Sequence, residues 1–143
     1  MKKTGFTLIE LLIVISVIAI LMSIALPRFK GMQQEANIAK SKSDLRTLQS
    51  AVESYFIHNN AYPATLTALT TANPQIILTV PQDPFANADY GYALSANGSY
   101  FVVYSIGYTA NGSAVIDNTG VVTQTNGASC IYASNGTPVD IQP

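Results

Sequence analysis

The first 27 residues, MKKTGFTLIELLIVISVIAILMSIALP (residues 1–27), decide how the rest of the chain is read. From Phe6 to Leu26 the side chains are apolar or small apart from Thr7, Glu10, Ser16 and Ser23. Roughly 21 helical residues at about 1.5 Å each cover the ~30 Å hydrocarbon core of a bilayer. The segment can therefore span a membrane, and Glu10 is the residue that needs explaining. An unpaired carboxylate at that depth costs several kcal/mol, and ionisable groups kept there face a protein partner or a functional path. Two partners are available in principle. Thr7-Leu8-Ile9-Glu10 has the spacing of a capping box, in which Thr7 caps the helix and Glu10 reaches back to a free backbone N–H. The second depends on the residues before it.

Met1-Lys2-Lys3-Thr4-Gly5 is too short for an ordinary secretory signal, whose small-residue cleavage site follows its apolar region. Here the basic residues and the glycine both precede the apolar run. A cut after Gly5 would leave the apolar helix in the mature protein with a charged amine on Phe6. That amine is a natural counter-charge for Glu10, on its own chain or on the next chain in a stack.

The stretch Gly5-Phe6-Thr7-Leu8-Ile9-Glu10 closely resembles the type IV prepilin N-terminal motif. The resemblance implies type IV pilins and the pseudopilins of type II secretion. In that family a prepilin peptidase cleaves after the glycine and methylates the exposed phenylalanine, here Gly5 and Phe6, and the glutamate, here Glu10, docks each subunit onto the filament. Pro27 falls where the family commonly has a helix-perturbing proline. The resemblance also implies an α+β pilin fold, a long N-terminal helix packed on a small antiparallel sheet. Its implied partners are the peptidase, an inner-membrane assembly platform, other pilins or pseudopilins in a homo-oligomeric filament, and membrane lipid before assembly. The implied location is the inner membrane, single-pass, with the C-terminal domain outside the cytoplasm, and then a periplasmic or cell-surface filament.

Composition points to a small structural subunit rather than an enzyme. At 143 residues the chain supports one modest domain beyond the first helix. Every Lys and Arg lies at or before Arg46, and beyond it only Glu53, Asp83, Asp89, Asp117 and Asp140 are charged. Removing Lys2 and Lys3 takes the formal side-chain charge from −1 to −3. With no basic patch past the helix, nucleic-acid binding by the C-terminal domain is unsupported. Charge leaves the membrane topology open, because Lys2 and Lys3 on one flank are matched by Arg28 and Lys30 on the other.

The chain divides into a leader (residues 1–5), a transmembrane or filament-core helix (6–27), an amphipathic helix (28–58) and a loop and sheet region (59–143). In the amphipathic part Ile38, Leu45 and Val52 recur every seven residues with Leu48 and Tyr55 between them, while Lys42, Asp44, Arg46 and Glu53 lie off the stripe. Such a stripe packs on its own domain. Pro27 removes one helical hydrogen bond and predicts a kink or local loosening. The helix is expected to stop near His58-Asn59-Asn60, with a short helix over residues 65–69. Pro81-Gln82-Asp83-Pro84-Phe85 should interrupt all regular structure, since its two prolines bar helix and central strand.

Four Asn-Gly pairs, at Asn97, Asn111, Asn126 and Asn135, suit two-residue hairpin turns and predict an antiparallel meander. Residues 100–106 are apolar on nearly both faces and read as its central strand, with one face on the Leu45/Leu48/Val52/Tyr55 stripe. Three of the pairs also match the N-glycosylation pattern, which turn chemistry explains without sugar.

Val80-Pro81-Gln82-Asp83-Pro84-Phe85, Tyr90-Gly91-Tyr92 and residues 100–107 resemble the major pseudopilin of type II secretion. That branch often continues with an acidic calcium-binding loop, whereas this chain has no carboxylate between Ser105 and Asp117. Asp83, Asp89 and Asp117 are the calcium candidates; they equally read as solvated loop carboxylates. No cofactor is otherwise indicated. His58 and Cys130 are the only residues of their kinds, so a His/Cys metal site and an internal disulfide are both excluded, and Cys130 reads as a buried strand thiol. The aromatic residues could suggest electron conduction along a fibre, but at strand alternation they read as core. Two other functions share parts of this sequence logic. A surface pilus for adhesion, motility or DNA uptake has the same N-terminal chemistry, and a membrane-anchored binding module predicts no processing at Gly5.

Overall fold

The computed structural model describes residues 5–125, 129–137 and 140–141. Leader residues 1–4 and the Asn126-Gly127 pair lie outside the described residues. One helix, α1 (Leu8–Asn59), runs through two compact units, Met1–Ala36 and Asn37–Pro143.

In the first unit no residue of α1 is buried, and its large apolar side chains are at least half exposed. A helix apolar on all sides with nothing of its own to bury against requires another apolar medium. The hydroxyls in it are satisfied locally: Ser16 Oγ donates to the Leu12 carbonyl and Ser23 Oγ to that of Ile20, both at 2.7 Å. Pro27 sits inside α1, which continues through it. The helical assignment is unbroken at Pro27, whose ring nitrogen has no N–H to donate to the ladder.

In the second unit Ser41, Leu45, Leu48, Ala51 and Val52 are the buried residues of α1, at the spacing of a single face. The helix ends where the sequence placed its end. Asn60 adopts a left-handed φ of 54° and its N–H donates to the Phe56 carbonyl at 2.7 Å, the conformation asparagine tolerates best after glycine. A four-residue helix α2 (Ala68–Thr71) follows, three residues later than expected, with buried Leu69 as its anchor.

The strands are β1 (Gln82–Asp83), β2 (Ala88–Asp89), β3 (Gly91–Leu94), β4 (Phe101–Ser105), β5 (Ser113–Ile116), β6 (Val122–Thr125), β7 (Ile131–Ser134) and β8 (Asp140–Ile141). They form an antiparallel sheet of order β3-β4-β7-β8 and two hairpins, β1-β2 and β5-β6. The chain is thus α+β. Strand β4 is central, as its two-faced apolar sequence requires. Phe101 and Val103, with Ile131 and Ala133 of β7, pack with Leu45, Leu48, Ala51 and Val52. On the opposite face Val102 and Tyr132 pack with Ala114, Ile116, Val122 and Cys130. Alternation along a strand sends successive side chains to opposite faces, so both faces must be apolar where both are covered. Tyr55, Tyr62, Phe85 and Tyr92 pack against this core, and Tyr62 stacks on Phe56 at 4.6 Å and tilts against Phe101 at 4.9 Å.

Three expectations are corrected. The segment around Pro81 and Pro84 holds the two-residue strand β1, which uses the positions between the prolines. The sheet is not a simple meander, because the β5-β6 hairpin is inserted between paired neighbours β4 and β7. None of the three described Asn-Gly pairs makes a two-residue turn with two positive φ angles. At Asn97-Gly98 only the glycine has positive φ (69°), and the loop is closed by Gly98 N–H to Ser95 O at 2.9 Å and Ser95 N–H to Tyr100 O at 2.9 Å. Gly112 is demanded by close approach instead, since a Cβ there would lie 2.7 Å from the Ile106 carbonyl oxygen. The β5-β6 turn uses Asp117-Asn118-Thr119-Gly120, with Gly120 at φ 83°.

Candidate assembly and processing site

Gly5 and Phe6 precede the first turn of α1, with Phe6 84% exposed and open space around Gly5. Exposed chain without secondary structure is where proteases commonly cut. Thr7 and Glu10 make the reciprocal capping box that their spacing predicts. The Thr7 N–H donates to Glu10 Oε2 at 2.9 Å, the Thr7 hydroxyl donates to the same oxygen at 2.7 Å, and the Glu10 N–H donates to Thr7 Oγ1 at 3.3 Å. Both Thr7 donors converge on one carboxylate oxygen. Oε1 takes no hydrogen bond among the described residues. The capping contacts thus occupy only Oε2 of the Glu10 carboxylate.

The three acidic candidates of the C-terminal unit are not brought together. Asp83 is 1% exposed and spends both oxygens on the backbone, Oδ1 accepting from the Phe85 N–H and Oδ2 from the Ile106 N–H, each at 3.0 Å. It is a buried staple between the proline segment and the end of β4, not a solvated loop carboxylate. Asp117 is exposed, and its Oδ1 accepts from the Thr119 hydroxyl (2.7 Å), the Thr119 N–H (2.8 Å) and the Val121 N–H (2.9 Å). The Thr119 hydroxyl, followed by these backbone donors, holds its carboxyl below the ordinary range. Asp89 lies exposed in β2. Among the described residues no three His, Cys, Asp or Glu side chains form a metal-sized group.

Cys130 is fully buried immediately before β7, and burial, with the Asp83 charge adding to it, pushes its thiol up to about 11. His58 is exposed at the end of α1 with Nδ1 against the Ser54 carbonyl at 2.8 Å. Asn135 is a residue that turn chemistry misassigned. Its Oδ1 accepts the Phe101 N–H at 2.8 Å, and its Nδ2 donates to the Tyr62 hydroxyl at 2.9 Å and the Ser99 carbonyl at 3.2 Å. A polar side chain just after an apolar strand was its only signal in the sequence.

Comparison with known proteins identifies the family. Residues 28–123 match the family model for type II secretion system protein G, and residues 1–26 match the prokaryotic N-terminal methylation motif. The chain is 33% identical over 119 residues to the type II secretion system core protein G of Vibrio cholerae serotype O1, covering 74% of this chain and 81% of that one. It is 31% identical over 120 residues to the core protein G of Pseudomonas aeruginosa, covering 74% and 84%. Over 100 residues it is 36% identical to that of Aeromonas hydrophila, covering 60% and 70%. With an exposed apolar helix, a prepilin-type start and an α+β head, the chain belongs to the type II secretion system protein G family, the subunits of the secretion pseudopilus.

Proposed function

We infer that this chain is a structural rather than catalytic subunit, cut after Gly5 by a prepilin peptidase, methylated on the Phe6 amine and assembled through its N-terminal helix, with residues 6–27 in the core, into a filament that supports protein export. The observation that carries the reading is the Glu10 carboxylate, which has one oxygen held by Thr7 and one open. In the membrane the Thr7 donors lower the cost of the charge. In the filament the open Oε1 takes the Phe6 amine of a neighbouring subunit, and this pairing sets the axial register. Loss of one partner of such a pair leaves a buried charge uncompensated, at a cost of about 3–5 kcal/mol.

Burial of the apolar helices against each other drives assembly, at roughly 25 cal/mol for each Å² removed from water. That surface is available: Leu8, Leu11, Leu12, Ile15, Ile20 and Leu21 are all more than half exposed. Before assembly the helix anchors the chain in the inner membrane, with the second unit outside the cytoplasm. The peptidase, an assembly platform and further pseudopilins are the partners this pathway requires.

The test is mass analysis of the protein recovered from membranes and from sheared filaments of cells carrying the secretion machinery. The mature chain should begin at Phe6 with one added methyl group. Glu10→Ala and Glu10→Gln should be processed normally yet yield at least about tenfold less filament. Parent-level filaments from both variants would remove Glu10 from the register role, and an intact leader would remove the pathway.

A further inference from the structure

Past the apolar span, α1 carries a second charged pair with no partner of its own. Leu21, Ile24, Ala25, Arg28, Phe29 and Met32 line one shallow groove along the helix, so Arg28 is set in an otherwise apolar face. Leu21, Ile24, Phe29 and Met32 are each at least 60% exposed. Glu35 lies seven residues beyond Arg28, two helical turns along the same face. The two cannot reach each other within one chain, because paired side chains on a helix stand three or four residues apart. The residues at those spacings are Ile24, Ala25, Gly31 and Met32 for Arg28, and Gly31, Met32, Ile38 and Ala39 for Glu35. None carries a charge. Both side chains are exposed, and neither has a hydrogen bond or ion pair among the described residues.

We propose that Arg28 of one subunit pairs with Glu35 of a second copy, forming a charged lock on the helix–helix contact just beyond the apolar core. This rests on the assembly reading above and adds a contact to it. The face is continuous with the apolar surface that assembly buries, and a guanidinium within it must meet a carboxylate once water is excluded. The stagger supports a second copy as the occupant. A neighbour whose Phe6 amine meets Glu10 is displaced along the axis by four residues, about 6 Å. A neighbour whose Arg28 is level with Glu35 is displaced in the same direction by seven, about 10.5 Å. The difference of about 4.5 Å is within the span of an arginine side chain. One parallel stagger thus satisfies both pairs, and arginine supplies a forked, permanently charged donor for the second.

The experiment uses the full chain in cells carrying its secretion machinery, comparing sheared filament yield and membrane level for Arg28→Glu, Glu35→Arg and the double exchange. Each single variant should lose about tenfold or more of the filament while remaining processed in the membrane, and the exchange should return the yield to near the parent value. Single variants that assemble like the parent overturn the contact and leave the assembly reading intact. So does an exchange no better than the worse single variant, the pattern expected if Arg28 serves anionic lipid headgroups instead. A parent chain that forms no filament overturns the assembly reading and the contact with it.

Discussion

Replacement of Asp83 by alanine tests the C-terminal unit where its chemistry is most concentrated. The side chain is 1% exposed, and its two oxygens accept the Phe85 and Ile106 N–H groups at 3.0 Å each. Removing it relieves a buried carboxylate but leaves two backbone donors without an acceptor. Each orphaned buried donor costs about 1–3 kcal/mol, so Asp83→Ala should lose about 2–6 kcal/mol. Asp83→Asn keeps one carbonyl oxygen and turns an amide nitrogen toward the other N–H, and should lose roughly half as much. Urea unfolding of the detergent-solubilised full chain, followed through the near-UV signal of the tyrosines, reads this directly. With a slope of about 2 kcal/mol/M, the alanine midpoint falls by about 1–3 M. An alanine variant within about 0.5 kcal/mol of the parent would refute the staple, because losses that small are typical of surface positions.

Asn135 and Cys130 supply further tests of the same unit. Asn135→Ala should cost about 1–3 kcal/mol by stranding the Phe101 N–H, while Asn135→Asp keeps that contact and should cost less; unfolding midpoints separate them. The Cys130 thiol is closed to solvent in the folded chain and raised to about 11, so iodoacetamide should label it only on unfolding. Because the folded value is the higher one, its contribution to stability is complete below pH about 9 and is lost as pH rises through about 11; Asp83→Asn should move the thiol value downward.

The parts of the fold legible in the sequence are those governed by period and by covalent geometry. The seven-residue recurrence of Ile38, Leu45 and Val52 identifies the buried face of α1, and residues 100–106, apolar but for Ser105, identify a strand covered on both sides. The Thr7–Glu10 box could be read because its partners are three residues apart. What could not be read depends on long-range pairing. Asp83 meets Ile106 from 23 residues away, and Asn135 meets Tyr62 from 73, so each looked like a loop residue when judged by its neighbours. The Asn-Gly pairs misled for a related reason. Gly112 and Gly136 are required by backbone carbonyls approaching from elsewhere in the fold, those of Ile106 and Gly120, and not by the turn type that their own dipeptide favours.

The β5-β6 hairpin also bears on the order in which the unit folds. Pairing of β4 with β7 must close the loop formed by residues 106–130, an entropic cost paid before any of its contacts form. A preformed hairpin brings Ser113 opposite Thr125 and shortens the open chain by roughly half, worth about 0.6 kcal/mol at the barrier. Its turn is locally encoded, by Asp117 accepting from Thr119 and Val121 and by the left-handed Gly120. The hairpin can therefore form at the microsecond timescale of local elements, ahead of the sheet it covers. Asp117 and Gly120 thus favour closure of this turn before β4 and β7 meet.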